Sequence, residues 1–181
     1  MKYKLTDVKI NFMGKTLFQI EAVKCFGDIV KGQKGGFIEK ESNLSQGGDA
    51  WVSGNAKVYG NAEVSGNAKV YGNAKVSGNA EVYGNAEVYG DVWVSGNAKV
   101  YGNAEVSGNA DYLVIGPIGS RNDITTFFKT ANNDIKVSCG CFTGNIEEFL
   151  EKVNETHGNN NYAKEYKTAV EIAKIHIFGG E

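Results

Sequence analysis

The sequence predicts a mainly β protein: a parallel β-helix, with a β-hairpin ahead of it and a small α+β cap behind it. Three observations carry that prediction. One hexapeptide is written ten times between Val52 and Asp111, as in Val-Ser-Gly-Asn-Ala-Lys and Val-Tyr-Gly-Asn-Ala-Glu. Valine recurs without a slip from Val52 to Val106, and a small apolar residue follows four places later, from Ala56 to Ala110, with Val92 the one enlargement. Gly-Asn fills the third and fourth places, broken only by Gly90-Asp91. A six-residue period fits neither a 3.6-residue helix nor an array of hairpins. It fits a parallel β-helix in which each hexad supplies a short strand and a corner. Glycine and asparagine tolerate the left-handed backbone of such a corner, while valine and alanine point inward.

Ahead of the repeat, Lys4 to Phe12 alternates, Met13-Gly14-Lys15 turns, and Thr16 to Val23 alternates again, the pattern of a hairpin. Lys31 to Gly36 is glycine-rich but lacks the Gly-Lys-Ser/Thr ending and following helix of a phosphate loop, so it reads as a turn. Counting back in sixes from Ala56 gives Ala50, Leu44 and Ile38 as further inward positions. The β-helix is therefore expected to begin near Phe37 with degenerate hexads, as a capping coil would. The expected organisation is a β entrance over 1–36, the β-helix over 37–111 and an α+β domain over 112–181.

The hexads resemble the left-handed hexapeptide-repeat β-helix, and that resemblance implies three hexads per triangular coil and a homotrimer. Residues 18 apart then stack, so Val52, Val70, Val88 and Val106 form one inner column. The outward columns read Ser53, Tyr71, Tyr89, Ser107, then Tyr59, Ser77, Ser95, and then Ser65, Tyr83, Tyr101. The tyrosines have two readings: β-propensity on a solvated sheet, or a lateral interface between subunits. Many proteins of this repeat class are acyltransferases that use a histidine and an extruded loop. Residues 52–111 hold neither, which places any chemistry elsewhere.

Composition narrows the function classes. The 181 residues leave room for one elongated domain and a compact cap. Lys and Arg number 19 against 21 Asp and Glu, and no segment is strongly basic, which argues against a nucleic-acid surface. Three cysteines, Cys25, Cys139 and Cys141, form an odd, sparse set expected to be reduced thiols in the cytoplasm. No apolar run approaches the ~20 residues of a membrane span, and no signal peptide is evident.

After Asp111, Tyr112 to Ile115 reads as a strand broken by Gly116-Pro117-Ile118-Gly119. Next comes Ser120-Arg121-Asn122-Asp123, which holds the only arginine of the chain. A guanidinium beside Ser120 and Asn122 suggests an anion clamp; the alternative is a turn in which Arg121 pairs with Asp123 or another carboxylate. Thr125 to Lys129 and Ile135 to Cys139 flank a hairpin turn at Ala131 to Asp134. Cys139-Gly140-Cys141 would put two thiols on one strand face. Zinc shared with His157 and His176 matches no standard spacing, so packed thiols are preferred; a Cys nucleophile paired with His157 lacks any local activating charge. A first helix from Ile146 is capped by Thr143 or Asn145 and stops near Gly158. A second runs from Tyr162 to about His176, with Val170, Ala173 and Ile177 as its apolar stripe. His176 reads as a peripheral core residue, and His157 as a helix-end cap or a site member.

Taken whole, the chain resembles a family of bacteriophage and prophage proteins. The likeness rests on Gly35 to Glu39, Asn43-Leu44-Ser45, the hexads, Ile118 to Asp123, Cys139 to Phe142, Thr156-His157-Gly158, Tyr162 and Glu165-Tyr166. It implies a counter-defence role in the host cytoplasm, such as sequestering a nucleotide immune signal. The expected function is thus a homotrimer that holds a phosphate-bearing small molecule in C-terminal pockets between subunits without turning it over, with no cofactor. Ser120, Arg121, Asn122 and Asp123 would form the anion site, and His157 and Tyr162 would contact a base or ribose. A purely structural, virion-associated trimer is the alternative, and a nucleotide-directed transferase or hydrolase is third.

Overall fold

A computed structural model describes residues 1–179 and divides the chain into two compact units, Met1–Asn103 and a second that starts at Ala104. In the first unit, β1 (Tyr3–Phe12) and β2 (Lys15–Ala22) form the hairpin, and β3 (Lys34–Ile38) pairs antiparallel with β2. Nine two-residue strands follow at six-residue spacing, from β4 (Trp51–Val52) to β12 (Lys99–Val100). They pair in parallel with strands 18 residues on: Val52 with Val70, Val58 with Val76, Val64 with Val82. Three hexads therefore make one coil, and the chain winds a parallel β-solenoid of about four turns. Every hexad valine is fully buried, as are the alanines from Ala56 to Ala98 and Val92 among them. Burial of each valine contributes about 1.5–3 kcal/mol before chain entropy is counted.

Corner geometry follows from the Gly-Asn pair. The hexad glycines from Gly54 to Gly102 all have φ between 63° and 74°, the left-handed region where a Cβ is strained. Coil stacking adds a steric reason, because a Cβ on Gly84 would lie 2.8 Å from the Gly102 nitrogen. The neighbouring asparagines form ladders: the Asn61 Nδ2 donates to Asn79 Oδ1 at 3.2 Å, and Asn79 Nδ2 to Asn97 Oδ1 at 2.9 Å.

The first coil departs from the expected phase. Ile38, Leu44 and Ala50 are all buried, but Ile38 stacks on Val58 and Leu44 on Val64, 20 residues on rather than 18. The two apolar residues thus occupy valine columns, not alanine columns, and two extra residues are absorbed between Leu44 and Val52. Lys2 and Tyr3 hold that irregular stretch. Buried Lys2 donates from Nζ to the carbonyls of Ala50 (2.8 Å), Gly47 and Gly48 (both 3.2 Å), and its ammonium lies 5.0 Å from the Phe26 ring centre. The Tyr3 hydroxyl lies 2.7 Å from the Leu44 carbonyl oxygen and 2.9 Å from that of Glu41.

Burial, opposed by Asp49 and aided by Lys24, brings the Lys2 amine down from 10.5 to about 8. The unfolded chain therefore keeps this proton between pH 8 and 10.5 while the folded chain releases it, so folded stability rises with pH across that window. Burial raises Tyr3; its unfolded form loses a proton above about pH 10, which opposes the gain there. Denaturant melts at pH 7.5 and 9.5 should show wild type gaining about 1–2 kcal/mol relative to Lys2→Met. Parallel pH profiles in the two proteins would contradict the assignment.

In the outward columns, Tyr59 is not solvated: it is buried by the hairpin, against Phe12 at 5.7 Å and the Met13 sulfur at 3.6 Å. Tyr71 stacks on Tyr89 at 4.9 Å, and Tyr83 on Tyr101 at 5.2 Å, with Tyr101 buried as well.

The second unit opens with β13 (Glu105–Val106) and a 3-10 turn over Asn109–Asp111. Asp111 Oδ2 accepts from the Ser107 and Gly108 amides and the Ser107 hydroxyl, all at 2.8 Å. That turn lifts Ala110 out of the inward position the hexad pattern assigns it; Ala110 is exposed. Four antiparallel strands follow in sequence order: β14 (Tyr112–Ile118), β15 (Asp123–Lys129), β16 (Ile135–Cys139) and β17 (Phe142–Asn145). β14 runs through Gly116-Pro117 to Ile118 rather than stopping at Ile115, because an irregularity between Ile115 and Ile118 takes up the non-pairing residues. Helices α1 (Ile146–His157) and α2 (Asn161–Phe178) complete the unit. Asn145 caps α1 in a reciprocal pair with Glu148, Asn160 caps α2, and Gly158 stops α1 with φ 58°. Phe127, Val137, Phe149, Tyr166, Val170 and Ala173 are central to the core between sheet and helices.

Candidate functional site

The Arg121 segment is a tight turn joining β14 to β15. Gly119 and Asn122 have φ of 70° and 50°, and the Asn122 amide donates to the Gly119 carbonyl at 3.1 Å, leaving Ser120 and Arg121 at the tip. Helix α2 fixes the base of this turn. Glu165 Oε2 accepts from the Gly119 amide at 2.6 Å, and a Cβ at Gly119 would overlap the Tyr166 hydroxyl. The turn needs glycine there for both space and backbone hand.

Beside the tip lies a cavity of about 500 Å³. Ser120 and Arg121 form one wall, with Cys139, Cys141 and Phe142 from the β16–β17 hairpin. Helix α1 forms the other through Phe149, Lys152, Val153, Thr156 and His157, and Tyr166 of α2 also contributes. The α1 residues recur at helical spacing, so one face of that helix supplies them all. Two permanent cations, Arg121 and Lys152, line the cavity and no carboxylate does. Lys152 has a partner at its exposed end, Glu155 at 3.0 Å.

Arg121 makes no ion pair with a carboxylate among the described residues; its Nη1 lies 3.7 Å from the Cys141 sulfur. That contact, followed by Asp123 as a more distant charge, raises the guanidinium pKa further above its ordinary range. The turn reading in which Arg121 is neutralised locally therefore does not describe the structure. Cys139 and Cys141 do not share a strand face either. Cys139 ends β16 and pairs with Phe142, so Gly140 and Cys141 form the hairpin turn, with Gly140 at φ 60°. Cys139 accepts from the Thr125 hydroxyl at 3.3 Å and lies 3.9 Å from the Tyr166 oxygen. Burial, and then Cys139, pushes the Tyr166 hydroxyl up to about 12, so it stays a protonated donor near neutral pH.

The remaining candidates divide. His157, half-buried at the end of α1, lines the cavity; its ring packs near those of Tyr162 at 5.8 Å and Tyr166 at 5.9 Å. Tyr162 therefore backs the imidazole rather than lining the cavity. Asn122 and Asp123 are exposed and do not line the cavity; Asp123 Oδ1 accepts from the Ile124 amide at 2.7 Å. His176 is exposed rather than peripheral core, with Nε2 3.3 Å from the Asn109 carbonyl oxygen. Among the described residues no three His, Cys, Asp or Glu side chains are grouped to hold a metal ion, and no helix is long and apolar enough to cross a membrane.

Fold and site together define a β-solenoid protein with a cationic, aromatic-floored cavity in a C-terminal α+β unit. Comparison with protein-family models gives no match, and comparison with curated proteins gives none either.

Proposed function

We propose that the C-terminal cavity binds a phosphate-bearing small molecule and holds it without turning it over. The observation that carries this reading is the lining itself: two permanent cations, hydroxyls from Ser120, Thr156 and Tyr166, and no carboxylate. Arg121 offers a planar fork suited to phosphate oxygens. Phe142, Phe149 and the imidazole of His157 offer an apolar floor for an organic body such as a base, and a cavity of this volume falls in the range that small ligands occupy. The resemblance to phage and prophage proteins supports a nucleotide immune signal as the captured molecule and counter-defence in the host cytoplasm as the role.

Titration calorimetry against mono-, di- and cyclic nucleotides, followed by analysis of the recovered ligand, tests this. Binding with the ligand unchanged is expected. A second reading draws on Cys141 and His157, which line the same cavity: a transferase or hydrolase would return an altered ligand.

The assembly proposed is a homotrimer carrying three such cavities. Partly exposed Tyr83, on a different face from Tyr71 and Tyr89, supports it, because aromatic residues are enriched at subunit interfaces. Light scattering at micromolar concentration should give about three times the 19.5 kDa chain mass; the monomer mass would reject the trimer.

A further inference from the structure

A second cavity lies in the first unit, on the solenoid face that carries Ser53, Tyr71 and Tyr89. Its volume is about 440 Å³, and the loop after β2 roofs it through Gly27, Asp28, Ile29 and Gln33. The outward column explains the space. Tyr71 and Tyr89 lie 4.9 Å apart with ring planes 4° from parallel, one coil per ring. Ser53 stands one coil below Tyr71, as the pairing of Val52 with Val70 requires. A hydroxymethyl group occupies the level at which the column would hold a third ring, and both Ser53 and Tyr71 line the cavity.

The surrounding chemistry differs from that of the C-terminal cavity. Asp28, Asp49 and Glu87 face it against a single ammonium, Lys69, which pairs with Asp28 at 3.0 Å across the opening. Three carboxylates to one cation repel an anion. Asn67 and Asn85 add carboxamides, and the wall includes Trp51. A gap one ring deep, walled by carboxylates and carboxamides, suits an uncharged ring-shaped ligand whose hydroxyls donate to carboxylates and accept from the Lys69 ammonium or an amide N–H.

From this geometry we infer that the cavity is a saccharide site, taking one pyranose unit at the Ser53 level of the Tyr71–Tyr89 column. Ring C–H groups lie against Tyr71, and hydroxyls donate to Asp49 and accept from Lys69 or Gln33. Saturation-transfer NMR on the full chain with methyl glucoside, methyl galactoside and methyl N-acetylglucosaminide tests it. Transfer to at least one pyranoside is expected. Ser53→Tyr should fold, since tyrosine already occupies the equivalent places above it, and should reduce that transfer at least tenfold by filling the gap. Asp49→Asn, which keeps the volume, should weaken it several-fold. Transfer to none of the pyranosides, or undiminished transfer in folded Ser53→Tyr, would overturn the assignment.

Discussion

Val70→Asp is expected to destabilise the solenoid by several kcal/mol, while Tyr71→Ser, one residue along, costs about 1 kcal/mol. Val70 is fully buried and stacked between Val52 and Val88. A carboxylate there faces only aliphatic neighbours, so it must either protonate at a cost or open the coil. Tyr71 points outward: its ring lies on Tyr89 and its hydroxyl donates to Glu87 Oε2 at 2.9 Å. Removing it forfeits a stacked pair and one partly exposed hydrogen bond and leaves the inner column intact. Urea melts of the three proteins check this, and equal shifts for the two variants would mean that the inward and outward assignment is wrong.

Arg121→Lys is expected to lower nucleotide affinity about tenfold or more, because one charge-assisted hydrogen bond is worth roughly 1.5–3 kcal/mol. Lysine keeps the charge at the turn tip but loses the planar fork. The substitution should leave the fold alone, since Arg121 is exposed and its one hydrogen-bond contact among the described residues is with the exposed Cys141. His157→Ala should weaken binding separately by removing a lining ring. Lys75→Ala, in the solenoid, should leave calorimetric affinity unchanged. Affinity equal to wild type in Arg121→Lys would remove the guanidinium from the site.

The solenoid was legible because a strict period constrains every coil at once. Valine at each sixth position can face only one way, and Gly-Asn repeats the same corner. Legibility failed where the period broke. Nothing in Ser45 to Asp49 signals two extra residues, because the irregularity is stabilised from 48 and 41 residues away by Lys2 and Tyr3. Tyr59 read as an outward residue, facing solvent or a partner subunit, because its cover, Phe12, comes from the hairpin. In the C-terminal unit, turn and helix-end chemistry pointed to Ser120, Arg121 and His157, which line the cavity. Lys152 and Thr156 were missed although helical spacing from Phe149 to His157 places them on one face. Tyr166 was missed for a different reason: its role comes from packing α2 beneath Gly119, a contact 47 residues apart in sequence.

The central claim is that the C-terminal cavity holds a phosphate-bearing molecule intact. Heating purified protein and identifying the released small molecules by mass spectrometry tests it most directly. The account predicts a phosphate-bearing, nucleotide-like species approaching one per chain in wild type and strongly reduced in folded Arg121→Lys. Release of no such species from folded wild-type protein, together with no heat of binding across the nucleotide panel, would contradict it.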